Sequence, residues 1–426
     1  MTRRGLEPVR ATAEASATTD SSYSWRRLCC AMLIGIISNA SLWTSVALMP
    51  SLQDDFALSR TQASYPYIAI MLGFLIGSPA LGRWSDRYGI SRVLLCASIV
   101  SSLAYLAGGF AQDFRLFLGT QVFVGLGTAA GFAPLAADAS HWFRRKRGLA
   151  VALVSSAGYV SGVFWSTVIA DVLQDGTWRD VHMIIGTALL AIVPMSLLLR
   201  RRVPFHVLDE ADRYSRQNAK ESRISPVAIK WTLAIAGVSC CIAMAMPQIH
   251  IVALCQDLGY TIGQGNELLS MVLFGGIVSR IVSGAIIDKV GAVRVLLVGS
   301  ALQTLTLCLF IPFDGLPSLY IISLMFGLAQ GGILPSYPMI VREYLPARSA
   351  GATIGFVSTA TQFGMAFGGW LSGWIYDQTG SYLAAFFNGI GWNLVNMALI
   401  GLLLLRIATP PSGRASPREE PRSLPG

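Results

Sequence analysis

The sequence predicts an all-α integral membrane protein of twelve transmembrane helices, arranged as two pseudo-symmetric six-helix bundles. Three observations carry this expectation. Of 426 residues, 53% are hydrophobic and only 13% charged, with a mean hydropathy of +0.56, a balance that leaves too little polar surface for a water-soluble chain. Twelve apolar runs are each long enough to cross about 30 Å of hydrocarbon. A motif that follows the second run returns after the eighth, displaced by 202 residues, the mark of a duplication.

The elements follow in order. Residues 1–27 carry Arg3, Arg4, Arg10, Arg26 and Arg27 among polar residues, and the apolar run behind them is too long for a signal-peptide core. They are expected to be a retained cytoplasmic tail. The first bundle, 28–202, holds runs near 28–49, 65–82, 93–110, 116–137, 149–170 and 181–199. A linker at 203–227 lies inside the longest polar stretch, which carries Arg213, Arg216, Lys220 and Arg223. The second bundle, 228–405, holds runs near 231–254, 266–284, 295–312, 318–340, 352–374 and 382–405. The tail 406–426, rich in Pro, Ser, Gly and Arg, has the composition of a disordered segment. Backbone polar groups must be paired within lipid, so the runs are predicted to be helices.

Charge sets the expected orientation. Of 32 Lys and Arg, 28 fall in the tails, the linker and one alternate set of loops, and three (Arg60, Arg115, Arg179) in the other set. Positive residues stay on the cytoplasmic side, so both termini are expected there. The remaining one, Arg280, falls inside a run. The formal charge of +9 is therefore topological, and nucleic acid is not expected as a partner. Arg outnumbers Lys 28 to 4, a composition of GC-rich bacterial genomes that points to an inner membrane. The seven cysteines lie in or beside apolar runs without the spacing of a disulfide framework or metal site. No cofactor, metal or enzymatic centre is expected.

The repeated motif reads Gly82-x-x-x-Asp86-Arg87-x-Gly89-x-x-Arg92 and Gly284-x-x-x-Asp288-Lys289-x-Gly291-x-x-Arg294. Gly125 and Gly327, and Gly162 and Gly364, share its offset. In the second and eighth inter-helix turns of a twelve-helix chain, this signature resembles that of the major facilitator superfamily. The resemblance implies a monomeric secondary transporter. It also implies that the two turns form a gate, the acid meeting a neighbouring helix end and the basic residues pairing across the cytoplasmic face. A simple solvated turn is the alternative.

Further residues resemble the monocarboxylate and oxalate/formate branch: Ser59-Arg60-Thr61-Gln62, Trp142-Phe143, Arg147-Gly148-Leu149-Ala150, Trp178-Arg179, Pro247-Gln248-Ile249-His250, Leu268-Leu269-Ser270 and Arg280. The chain departs from animal monocarboxylate carriers at Gly276, where they carry an acid, and at Thr44, where they carry a lysine. It departs from proton-drug antiporters at Gln121 and at Gly158-Tyr159.

Arg280 is the strongest candidate for chemistry. An arginine at mid-helix costs about 2.5–3.5 kcal/mol to insert, and no Asp or Glu in the apolar cores offsets it. Its repeat partner is Ser78, so the fold does not require the charge. A guanidinium fork suits a carboxylate, and the resemblance gives the arginine of this helix that role. Snorkelling to the nearby surface is the alternative. His250 follows Pro247 in an apolar run and is a candidate for substrate or proton binding, or a packing residue. Gln121, Gln330, Tyr337, Tyr159, Gln362, Asn39 and Asn393 are polar groups on helices that line the cavity in the resembled fold. Gln330 takes an aromatic cavity position of the resembled carriers.

The expectation is a carrier of a small organic anion, a carboxylate, that works by rocking one bundle against the other, coupled to protons or to anion exchange. The alternatives are a carrier of a neutral or larger compound such as a drug or vitamin, and a receptor that binds without transporting.

Overall fold

The computed structural model describes residues 19–58, 62, 65–221 and 224–408. The tails at 1–18 and 409–426, and Ser59, Arg60 and Thr61, lie outside the described residues. Among those described there is no strand. The first crossing is α1 (Ser22–Ser38) with α2 (Ala40–Ala47), followed by the short α3 (Met49–Phe56). Next come α4 (Tyr65–Tyr88) and α5 (Ile90–Gly109), then a fourth crossing divided into α6 (Phe114–Thr128) and α7 (Ala133–Trp142). The half is completed by α8 (Arg147–Asp175), α9 (Trp178–Leu190) and α10 (Ile192–Leu198). The linker contributes α11 (Phe205–Glu221). The second half runs α12 (Pro226–Asp257), α13 (Ile262–Val290), α14 (Ala292–Leu309), α15 (Leu316–Gln330), α16 (Ile333–Tyr344), α17 (Ala350–Thr379) and α18 (Leu383–Ala408).

Eleven described segments are long and apolar enough to cross a membrane. The twelfth crossing, α17, is not among them. Its Gly, Ser and Thr residues lower its hydropathy, yet its 30 residues span about 45 Å and it packs along α12 and α4. Its inner face is buried between those neighbours, while Phe363, Trp370 and Trp374 give it an exposed apolar side.

The duplication extends into the packing. A Cβ added at Gly125 would stand 1.9 Å from the carbonyl oxygen of Ile70, and one at Gly327 would stand 2.3 Å from that of Val272. Both partners obey the 202-residue offset, so each half holds its second and fourth crossings together at the same backbone contact. Small residues permit this approach in lipid, where dispersion and close packing replace the hydrophobic drive.

Each half has its own core, with Phe74, Phe117 and Trp142 in the first and Leu296, Phe326 and Ile340 in the second. The second core also takes in Ala133, Ala136, Ala137 and Val151 of the first half. The halves meet along α4 against α17 and α8 against α13, and at the linker end α7 and α8 also reach α17 and α16. Helix α11 lies across that end. Asp212, 5% exposed, accepts the backbone N–H of Ala347 at 2.5 Å and of Arg348 at 3.3 Å. Arg348 pairs with Asp209, while Glu210 pairs with Arg144 of the first half at 3.0 Å. The linker is thus a docked helix bonded to both halves.

Candidate functional site

Four helices bring polar groups together at the seam. Arg280, on α13, is 3% exposed, and its Nη1 donates to the carbonyl oxygen of Ser155 on α8 at 2.7 Å. Its guanidinium carbon lies 3.8 Å from the centre of the Tyr159 ring, also on α8. The Nε has no partner, and among the described residues Arg280 forms no salt bridge. The side chain therefore does not snorkel. It turns across the seam onto the other half, a dehydrated cation held by a carbonyl and a π-face with its Nε–H left unpartnered.

Gly276 explains a departure noted in the sequence. A Cβ there would come within 2.9 Å of Tyr159 Cε2, so the ring occupies the place an acidic side chain would need. Tyr159 and an acid at 276 compete for the same face of Arg280. This chain keeps the neutral ring, which leaves the positive charge uncompensated.

From Tyr159 the polar run continues to α12 and α15. Gln248 Nε2 donates to Gln330 Oε1 at 2.5 Å and lies 3.5 Å from the Tyr159 hydroxyl. Gln330 is 1% exposed and its Nε2 has no partner. Gln248 and Ser155 were not singled out from the sequence. The signal for Gln248 was an amide beside Pro247 in an apolar run; Ser155 acts through its backbone and left none.

The remaining candidates lie elsewhere. His250 accepts from the Tyr382 hydroxyl at Nδ1, 3.2 Å, and donates from Nε2 to the Gly369 carbonyl at 2.9 Å. Two residues after Gln248, it is turned about 200° around the helix and packs against α17, away from Arg280. Gln121 donates to Thr120 Oγ1 at 3.3 Å, against Gly108 of α5. Tyr337, 3% exposed, sits beside Gly237 within the second half. Asn39 divides α1 from α2, donating to the Gly35 carbonyl at 2.7 Å. Asn393 ties α18 to α14 through the Ser300 carbonyl at 2.8 Å. A second interior histidine, His182, stands at 2% exposure among Tyr105, Phe117 and Trp178. It opens the sixth crossing, where the sequence placed only a span end.

The repeated turns bridge the halves in mirror fashion. Asp86 accepts the backbone N–H groups of Gly351 and Ala352, both at 2.9 Å. Asp288 accepts those of Gly148 and Leu149 at 2.6 and 3.2 Å. Each acid thereby caps the first turn of a helix in the opposite half, where free N–H groups and the helix dipole favour a negative charge. Gly82 lies against Gly351, and Gly284 against Gly148. Gly89 and Gly291 both have φ of +88°, which glycine adopts without a Cβ clash. The expected pairing of basic residues across the face is not found. Arg87 lies 5.3 Å over Tyr88, Arg294 donates to the Val290 carbonyl at 3.5 Å, and among the described residues Arg87, Arg92, Lys289 and Arg294 form no salt bridge. At a wet surface such pairs contribute little.

Comparison with known proteins agrees with this architecture. The rat monocarboxylate transporter 13 is 26% identical over 318 residues, 73% of this chain and 72% of that protein. The human monocarboxylate transporter 11 is 24% identical over 393 residues, 88% and 82% of the two chains. The MFS-type transporter pynF of Aspergillus niger is 24% identical over 368 residues, 84% and 82%. Among solved structures, a double-tryptophan mutant of XylE superposes with a TM-score of 0.76 at 13% identity, covering 92% of this chain and 98% of that one. The fucose carrier FucP in its outward conformation gives 0.70 at 14% identity, covering 90% and 99%. These structures share the fold alone. The family model described as Major Facilitator Superfamily matches residues 31–251 and again 231–425, once for each half, and this chain is a multi-pass membrane transporter belonging to that superfamily.

Proposed function

We propose that the protein carries a small organic anion, a carboxylate, by alternating access between the two sides of the membrane. The supporting observation is Arg280: a buried guanidinium at the seam of the halves, with a free Nε and, among the described residues, no carboxylate paired with it. A carboxylate would supply that charge, and the free Nε of Arg280 and Nε2 of Gln330 are donors suited to its oxygens. Tyr159 and Gln248 complete the substrate site. Relatives named monocarboxylate transporters support the same class. The turns at Asp86 and Asp288 act as the gate, holding the linker end closed while the substrate site faces the other side.

The termini and α11 lie on the cytoplasmic side of an inner membrane, and the carrier works as a monomer. Transport is coupled either to a proton, with His250 its interior carrier, or to exchange of one anion for another. The test is counterflow in proteoliposomes with a panel of labelled monocarboxylates, dicarboxylates and uncharged analogues. Saturable exchange of carboxylates that Arg280→Lys severely weakens is the expected result. Exchange of uncharged compounds alone would replace the anion by a neutral substrate, and binding without exchange would make the protein a receptor.

A further inference from the structure

A second binding place lies outside the substrate site, on the lipid-facing side of the seam. A groove of about 300 Å³ runs between the halves. One wall is Leu75 of α4; the others are Trp231, Ile235 and Val238 of α12 and Phe356 and Phe363 of α17. The lining is almost wholly carbon. Trp231, Ile235 and Phe363 are each about half exposed, at 53%, 50% and 51%, on helices that cross the membrane, so what they meet is acyl chain.

The linker-side rim of the groove has a different chemistry. Lys230 stands in the first turns of α12, with Nζ 4.2 Å over the Phe356 ring, and Trp231 meets Phe356 edge-on at 5.2 Å. Lys230 forms no salt bridge among the described residues. A lysine and a tryptophan at a helix end mark the headgroup level. From Trp231 to Val238, and from Phe356 to Phe363, the walls descend about 10 Å at 1.5 Å per residue. A cation at the rim above a narrow apolar slot matches one class of molecule.

We propose that this groove is a specific seat for an anionic phospholipid of the linker-side leaflet, its phosphate at Lys230 and one acyl chain between α4, α12 and α17. The walls come from both halves, so the seat exists only while Leu75 stays docked beside Thr359, whose Oγ1 donates to the Leu75 carbonyl at 3.3 Å. Its occupant touches both moving bodies. The groove is separate from Arg280 and does not depend on the identity of the transported solute.

The test uses the full chain in vesicles doped with phosphatidylglycerol or phosphatidylcholine bearing a photoreactive acyl chain, followed by peptide mapping. The peptide containing residues 231–238 is expected to be labelled about fivefold more by phosphatidylglycerol, the preference one lysine confers near a membrane surface. Lys230→Gln should remove that preference. Val238→Trp should fill the slot and suppress labelling by both lipids. Equal labelling of this peptide by the two lipids, a preference that survives Lys230→Gln, or labelling no denser than at the lipid-facing Leu302 and Leu305 of α14 would each overturn the proposal.

Discussion

The guanidinium of Arg280 rests 3.8 Å above the ring of Tyr159, so the one dehydrated cation of the site belongs to one half and its aromatic floor to the other. Relative motion of the halves must break this stack. Affinity and conformational change therefore meet at a single pair. Arg280→Lys keeps the charge but loses the planar fork, and should weaken carboxylate binding at least about tenfold while the protein still inserts. Tyr159→Leu removes the π-face, worth about 1–2 kcal/mol when desolvated, whereas Tyr159→Phe preserves it. Substrate affinities from counterflow check the series. Unchanged affinity in Arg280→Lys would take Arg280 out of the site.

Gly276 offers a test of charge against shape. Gly276→Ala places a Cβ 2.9 Å from Tyr159 and displaces the ring. Gly276→Asp does the same and also supplies a carboxylate for Arg280. If the free cation is what binds substrate, the aspartate variant loses anion affinity well beyond the alanine variant. Equal losses in the two would assign the effect to crowding alone.

Asp86 and Asp288 cap helices of the opposite half at the linker end, the contacts of the proposed gate. Asp86→Asn and Asp288→Asn keep the shape and remove the charge, which should lower the closed-to-open ratio about two- to fivefold for each cap, at roughly 0.5–1 kcal/mol. Ser78 is fully buried at this seam and donates to the Gly355 carbonyl at 3.2 Å. In a background free of native cysteines, Ser78→Cys should react with a thiol reagent from the linker side more rapidly when either cap is neutralised. No change in reactivity would limit the two acids to a local role.

Topology is checked on α11. Ser215, a natural choice in the linker, is 1% exposed, because its hydroxyl turns inward to the Asp212 carbonyl. Tyr214, 56% exposed, is the better reporter. Tyr214→Cys should be labelled in inside-out vesicles and protected in intact cells. Labelling from outside would reverse the orientation derived from the positive residues.

Coupling is tested by pH. A negative interior opposes entry of each negative charge by about 2.3 kcal/mol per 100 mV, so net uptake of a monoanion should rise as external pH falls. His250→Gln should flatten that dependence and spare anion exchange, which moves no net proton. If the variant keeps the parental pH profile, His250 serves as the hydrogen-bonded spacer between α12, α17 and Tyr382 that its two ring contacts describe.

The sequence by itself determined the membrane class, the crossings and the duplication, because each rests on a local property. An apolar run must be helical in lipid whatever its neighbours. A repeated motif such as Asp86 and Asp288 is visible without knowing what it touches. Arg280 was legible for the same reason: an uncompensated cation in an apolar run is anomalous before any fold is known. α17 was legible as a crossing because 352–374 reads as an apolar run, although its glycines lower its hydropathy.

What surrounds these residues was decided only by the tertiary structure. His250 and Gln248 stand two positions apart in one run, and the helical turn sends one to the seam and the other to α17. The neutral ring of Tyr159 fills the space opposite Gly276 from a different half of the chain, more than a hundred residues away in sequence. Asp138 of α7 forms a two-pronged bond with the buried Arg27 at 2.8 Å. Polar groups in helices carry little positional information singly, since any of them can satisfy itself on a neighbouring carbonyl. Which of them remain free for a ligand depends on side chains converging from separate helices, and that convergence is a property of the packed halves.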